Sequence, residues 1–154
     1  MRLRFTFFVV VSILLYSIEI SLHGIDTDKT IFVLEIETEH GEIFQPLFIS
    51  VDPARDTHQQ LTLYLQDFHP RVTGLVGDYA DTKSVCKAYR VYFSTPPNAD
   101  PKGDYLVDHS IFVYLMDPKG QFVDAFGQSV EAGEIIERVE KEVREWERRE
   151  GKKV

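Results

Sequence analysis

Apolar positions in this chain follow three rhythms, and the changes of rhythm mark its elements. Leu47, Phe48, Ile49 and Val51 form a nearly continuous apolar run, the mark of a strand buried on both faces. Pro53 ends it, because proline cannot donate to a ladder. Asp56 with Gln59, or Thr57 with Gln60, has capping-box spacing. Leu61, Tyr64, Leu65 and Phe68 then recur on one helical face, so a helix is predicted to about Phe68, closed by Pro70. "RVTGLVGD", residues 71–78, reads as a short strand with glycine punctuation. Asp81 or Thr82 is the expected cap of a second short helix, with Val85 and Tyr89 on its apolar side. "YRVYF", residues 89–93, then reads as a strand. "SIFVYLM" and "QFVDAF" are predicted to pair around "DPKG", a type I turn signal with Pro118 second and Gly120 fourth. A last helix is predicted from about Val130. Ala132, Ile135, Ile136, Val139, Val143 and Trp146 form its apolar stripe. Glu134–Arg138, Glu137–Lys141 and Glu140–Arg144 are i,i+4 pairs in the favourable order, each worth roughly 0.2–0.5 kcal/mol. Alternating strands and helices, then a hairpin and a helix, predict a mixed α/β sheet with helices on both faces.

Three stretches keep alternatives open. Residues 29–44, "KTIFVLEIETEHGEIF", alternate apolar and acidic positions, which suits a half-exposed strand or the end of a surface helix. Residues 94–104, "STPPNADPKGD", form an irregular loop with three prolines, either a functional loop or a surface connector. At the N-terminus, Arg2 and Arg4 precede the uncharged, mostly apolar run Phe5–Ile18, and Glu19 interrupts it. A membrane-spanning helix needs about 20 apolar residues. Residues 1–22 are therefore read as a hydrophobic segment that is anchor-like or signal-like, with possible membrane contact through 5–22, or else as a buried strand or an aberrant N-terminus. Residues 35–150 are read as the folded domain.

The chain has 154 residues, enough for one domain with a sizeable core. Its net charge of −8 repels phosphate backbones and argues against nucleic acid as a partner. One cysteine, Cys86, excludes an intrachain disulfide and paired-cysteine zinc sites. Cys86 lies within a predicted helix and reads as a small buried hydrophobe. Dithiol exchange needs a second, resolving cysteine, so an enzyme is not expected, and a one-cysteine thiol mechanism is the least favoured reading. His109 stands between Asp108 and Ser110 at the mouth of an apolar run. Strand neighbours point to opposite faces, so these three do not converge as a hydrolytic triad. The chain has no local histidine pair of metal-ligand spacing. By composition alone His109 is a hydrogen-bonded core or surface histidine.

Taken in order, "PLFISVDPARDT", "KAYRVYF", "DYLVDHSIFVYLMDPKGQFVDAFG" and the terminal helix resemble the Sco/SenC family over about residues 42–148. The mitochondrial branch is the most similar. The resemblance implies a thioredoxin-like mixed sheet with flanking helices, tethered in the mitochondrial inner membrane with the domain facing the intermembrane space. It implies copper delivery during cytochrome c oxidase assembly. The implied partners are the oxidase's copper-bearing subunit and copper-donating chaperones. Copper is held in the family by a Cys-x-x-x-Cys motif and a histidine of the DHS segment, which carries over to His109 as the metal residue. Soft thiolates select Cu(I), and imidazole completes the set. This chain has no cysteine before Cys86. The first strand–helix unit is therefore expected to be absent or replaced, with an exposed sheet edge, and the copper site to be impaired. The alternative is a degenerate, non-metal binding or scaffold member.

Overall fold

The computed structural model describes residues 7–12, 43–66, 70–94, 100, 105, 107–110 and 112–150. Five strands form one mixed sheet in the order β3-β2-β1-β6-β7. They are β1 (Phe7–Ser12), β2 (Phe44–Ile49), β3 (Thr73–Leu75), β6 (Phe112–Met116) and β7 (Phe122–Gly127). A separate two-stranded ladder joins β4 (Phe93–Ser94) to β5 (Asp108–His109). The helices are α1 (His58–Leu65), α2 (Tyr79–Tyr89) and α3 (Ala132–Arg149).

The N-terminal apolar run supplies the central strand. β1 pairs parallel with β2, from Phe7 opposite Phe44 to Ser12 opposite Ile49. On its other side it pairs antiparallel with β6, from Phe8 opposite Met116 to Val11 opposite Val113. The exposed sheet edge expected from a missing first strand is therefore not found, because residues 7–12 fill that slot. In this arrangement those six residues are not part of a spanning helix, and no described helix is long and apolar enough to cross a membrane. The partner helix of the expected first unit, and most of residues 29–44, lie outside the described residues.

The sheet is covered on both faces. Phe44, Val113, Leu115 and Phe126 meet the α3 stripe of Ile135, Val139, Val143 and Trp146. Phe48 packs with Leu61 and Leu65 of α1 on that same face of β2. Leu47, Ile49 and Tyr114 face the other way, toward Cys86 of α2. The run predicted to be uniformly buried thus alternates fully and partly buried positions along β2. Each fully buried Phe, Leu or Val contributes roughly 1.5–3 kcal/mol.

Element ends differ from the sequence expectation for local reasons. Thr57, not Asp56, caps α1: its Oγ1 accepts from the Gln60 N–H at 3.2 Å, and Gln60 Oε1 accepts from the Thr57 N–H at 3.1 Å. Asp56 is turned inward instead, where the Ser50 hydroxyl donates to it. α1 ends at Leu65, short of Phe68, which lies outside the described residues. Asp78 caps α2 by accepting from the Asp81 N–H at 2.8 Å, so Thr82 lies inside the helix and is buried. At its other end Arg90 takes a left-handed conformation, φ 56°. The Val91 N–H donates to the Cys86 carbonyl at 2.8 Å and the Arg90 N–H to the Lys87 carbonyl at 3.3 Å, a Schellman closure. That closure consumes most of the predicted "YRVYF" strand and leaves β4 two residues long.

The β6–β7 turn forms as predicted, with the Gly120 N–H donating to the Asp117 carbonyl at 2.9 Å. Gly120 has φ +73°, a conformation glycine adopts without strain. α3 begins at Ala132 rather than Val130. Arg138 does not follow the predicted Glu134 pairing. It reaches Asp124 of β7 at 2.6 Å and Glu142 at 2.8 Å, which raises its pKa, the Asp124 hydrogen bond being the largest cause. Glu140–Arg144 forms as predicted, at 3.1 Å.

Candidate metal centre

His109 sits on β5, with Phe93 of β4 opposite it in the ladder. The next residue anchors the strand's end, the Ser110 N–H donating to the Tyr92 carbonyl at 2.9 Å. The His109 ring is held by its own chain: Nδ1 lies 3.0 Å from the Val107 carbonyl oxygen. A carbonyl only accepts, so Nδ1 carries a proton, and in the neutral imidazole Nε2 carries the lone pair. Nε2 is buried and has no hydrogen-bond partner among the described residues. Metal-ligating histidines commonly have one ring nitrogen tied to such an acceptor and the other left open. Asp108 is exposed, as strand alternation requires for a neighbour of an inward-facing residue, and no triad forms.

A buried polar network supports the segment leading to His109. Asp52, in the turn after β2, is 1 % exposed. Tyr105 donates its hydroxyl to Asp52 Oδ1 at 2.9 Å, and Arg55 Nε donates to Asp52 Oδ2 at 2.5 Å. The Arg55 guanidinium also lies 3.7 Å from the centre of the Tyr105 ring. Ser50 Oγ accepts from the Asp52 N–H at 3.0 Å and donates to Asp56. Burial pushes the Asp56 carboxyl up to about 6; the Ser50 hydrogen bond and Arg55 pull it down, while the Asp52 charge adds to the rise. Burial, the hydrogen bond to Asp52 and its charge likewise raise the Tyr105 hydroxyl. Sequence reasoning missed this network, because Tyr105 is 53 residues from Asp52. A carboxylate inside an otherwise apolar strand end was the available signal.

Cys86 faces inward from α2, among Val51, Val91, Tyr105, Val107 and Tyr114. It is 4 % exposed, and burial raises its thiol pKa, so it is held as a neutral thiol. His58 is exposed at the start of α1, and His69 lies outside the described residues. Among the described residues no group of three or more His, Cys, Asp or Glu could hold a metal ion. Among the described residues, the buried donor open to a metal such as copper is the borderline His109 Nε2, and the one cysteine is held as a neutral thiol. Most of the 94–104 loop lies outside the described residues.

Residues 26–144 match the SCO1/SenC family. Among curated relatives, Protein SCO1, mitochondrial, of Saccharomyces cerevisiae is 51 % identical over 111 residues, 72 % of this chain and 38 % of its own length. Protein SCO1 homolog, mitochondrial, of Homo sapiens is 48 % identical over 90 residues, 58 % of this chain and 30 % of its own. The chain thus spans well under half the length of these relatives. Among solved structures, copper-bound yeast Sco1 superimposes with TM-score 0.79 at 44 % identity, covering 90 % of this chain and 76 % of that one. Copper-bound Arabidopsis thaliana ScoI gives 0.74 at 35 % identity, covering 92 % and 86 %. The sheet and helices described above are thus the thioredoxin-like arrangement of those structures.

Proposed function

This chain belongs to the SCO1/SenC family, and on that premise we propose that it handles copper as a chaperone in cytochrome c oxidase assembly, with an impaired site. Copper is the cargo, and His109 is the residue of this chain that contacts it. One observation carries the reading: the buried His109 Nε2, its lone pair free and its ring fixed by Nδ1 on the Val107 carbonyl. Imidazole alone is a weak holder of Cu(I), for which thiolates are the preferred donors. The chain therefore takes up and passes on copper only with a ligand supplied by its donor or acceptor. The proposed partners are the copper-bearing subunit of the oxidase and copper-donating chaperones. The proposed location is the mitochondrial inner membrane, with residues 35–150 facing the intermembrane space and residues 7–12 completing that domain. The proposed role is not enzymatic, since a single buried thiol has no resolving partner.

The test is association and rescue. The full chain is expressed in cells lacking their own family member, then precipitated and probed for the oxidase's copper-bearing subunit, with oxidase activity measured in parallel. Association that weakens in His109→Ala and under copper chelation supports the copper reading; no association sinks it.

The lack of a thiolate to join His109 among the described residues, Cys86 being a buried neutral thiol, favours a second reading, a non-metal scaffold member. Association that survives both His109→Ala and chelation would select it.

A further inference from the structure

We infer that Tyr105 and Asp52 are positioning residues for His109: the turn after β2 holds the histidine in its metal-ready tautomer through the buried cluster that Tyr105 shares with Val107. The hydrogen bond from the Tyr105 hydroxyl to Asp52 spans two distant parts of the chain and is buried at both ends. Asp52 is itself fixed by Arg55 and by Ser50, and Arg55 covers the Tyr105 ring. Two residues on from Tyr105, Val107 is 4 % exposed and packs in the same apolar cluster. Its carbonyl is the acceptor for His109 Nδ1. Tyr105 and Val107 are buried in one apolar cluster, so anchoring the first holds the second in place, and with it that carbonyl. The carbonyl in turn decides which ring nitrogen keeps the lone pair.

The inference rests on His109 as a copper contact only for its purpose; its geometry is independent of copper. The test therefore uses the metal-free full chain, uniformly labelled with 15N. The His109 ring signals are assigned by their loss in His109→Ala. In the unmodified chain Nδ1 is expected to resonate as a protonated nitrogen and Nε2 as an unprotonated one. Tyr105→Phe removes only the hydroxyl, and the two signals are expected to converge as the tautomers mix. Tyr114→Phe is the control. It deletes another hydroxyl of the same cluster, one that donates to the Tyr89 carbonyl at 2.7 Å, and is expected to leave the His109 signals in place at a similar loss of stability.

Should Tyr105→Phe fail to fold, Arg55→Lys removes the flat guanidinium from over the Tyr105 ring while keeping the charge, and the same convergence is expected. Unchanged His109 signals in the folded Tyr105 variant, or in Arg55→Lys if it alone folds, would overturn the inference. An equal shift in Tyr114→Phe would also overturn it. A Cu(I) titration that showed no role for His109 would remove the purpose and leave this measurement standing.

Discussion

Asp56 stores a pH dependence that few surface carboxylates would. Its folded pKa, about 6, lies above the ordinary 3.8 because burial disfavours the charged form. The folded state therefore holds this proton more tightly than the unfolded state between about pH 4 and pH 6. Stability from this group is largest below that window and falls as pH rises through it, by up to about 3 kcal/mol. Urea unfolding at pH 4.5 and pH 7 is expected to show wild type losing ground against Asp56→Asn at the higher pH. A difference between the two proteins that does not change with pH would assign the proton elsewhere. Cys86 makes the opposite kind of prediction, inertness. Its burial and raised pKa predict that iodoacetamide leaves it unmodified in the native chain and labels it fully in denaturant; rapid native labelling would place the thiol at the surface. The buried Cys86 was legible from sequence by its helical position. The hydrogen bonding of the His109 ring was not, because it depends on one carbonyl's direction.

Among the elements, the capping box and the β3–α1 contact offer the sharpest tests. Thr57→Ala removes the acceptor for the Gln60 N–H and is expected to destabilise the fold by about 1 kcal/mol in denaturant unfolding. A Cβ on Gly74 would meet Leu65 Cδ1 at 2.6 Å and Leu61 Cδ2 at 2.7 Å. Gly74→Ala is thus expected to cost about 1–3 kcal/mol by overpacking. Gly133→Ala, in the first turn of α3 with nothing within 4 Å of the new atom, is expected to be neutral or to stabilise by up to about 1 kcal/mol. Equal effects at the two glycines would mean that the packing of α1 on β3 is wrong. Periodicity revealed the buried stripes of α1 and α3 and both strands of the β6–β7 hairpin, because burial imposes the rhythm directly. It misplaced the α2 cap and overextended "YRVYF", because a Schellman closure at Arg90 is a backbone event with no glycine to announce it. It paired Arg138 with Glu134, one turn back, because the competing Asp124 lies on another element.

For the whole molecule, the order of segments identified the family and its fold from sequence. Hydropathy left the first apolar run between membrane, signal and strand, because an uncharged, mostly apolar run such as Phe5–Ile18 looks alike in all three. Only pairing with β2 on one side and β6 on the other distinguishes a central strand. The chain thus keeps the sheet of its relatives and a histidine poised on its ladder, while its one cysteine is buried away from solvent. The most direct measurement is a Cu(I) titration of the purified full chain against a chromophoric chelator, with His109→Ala alongside and the His109 ring signals followed at low chelator. The expected result is that the chelator strips copper from the unmodified chain, and that the weak binding seen without competition perturbs His109 and disappears in His109→Ala. Stoichiometric Cu(I) binding that holds against the chelator, or binding that persists in His109→Ala, would contradict it.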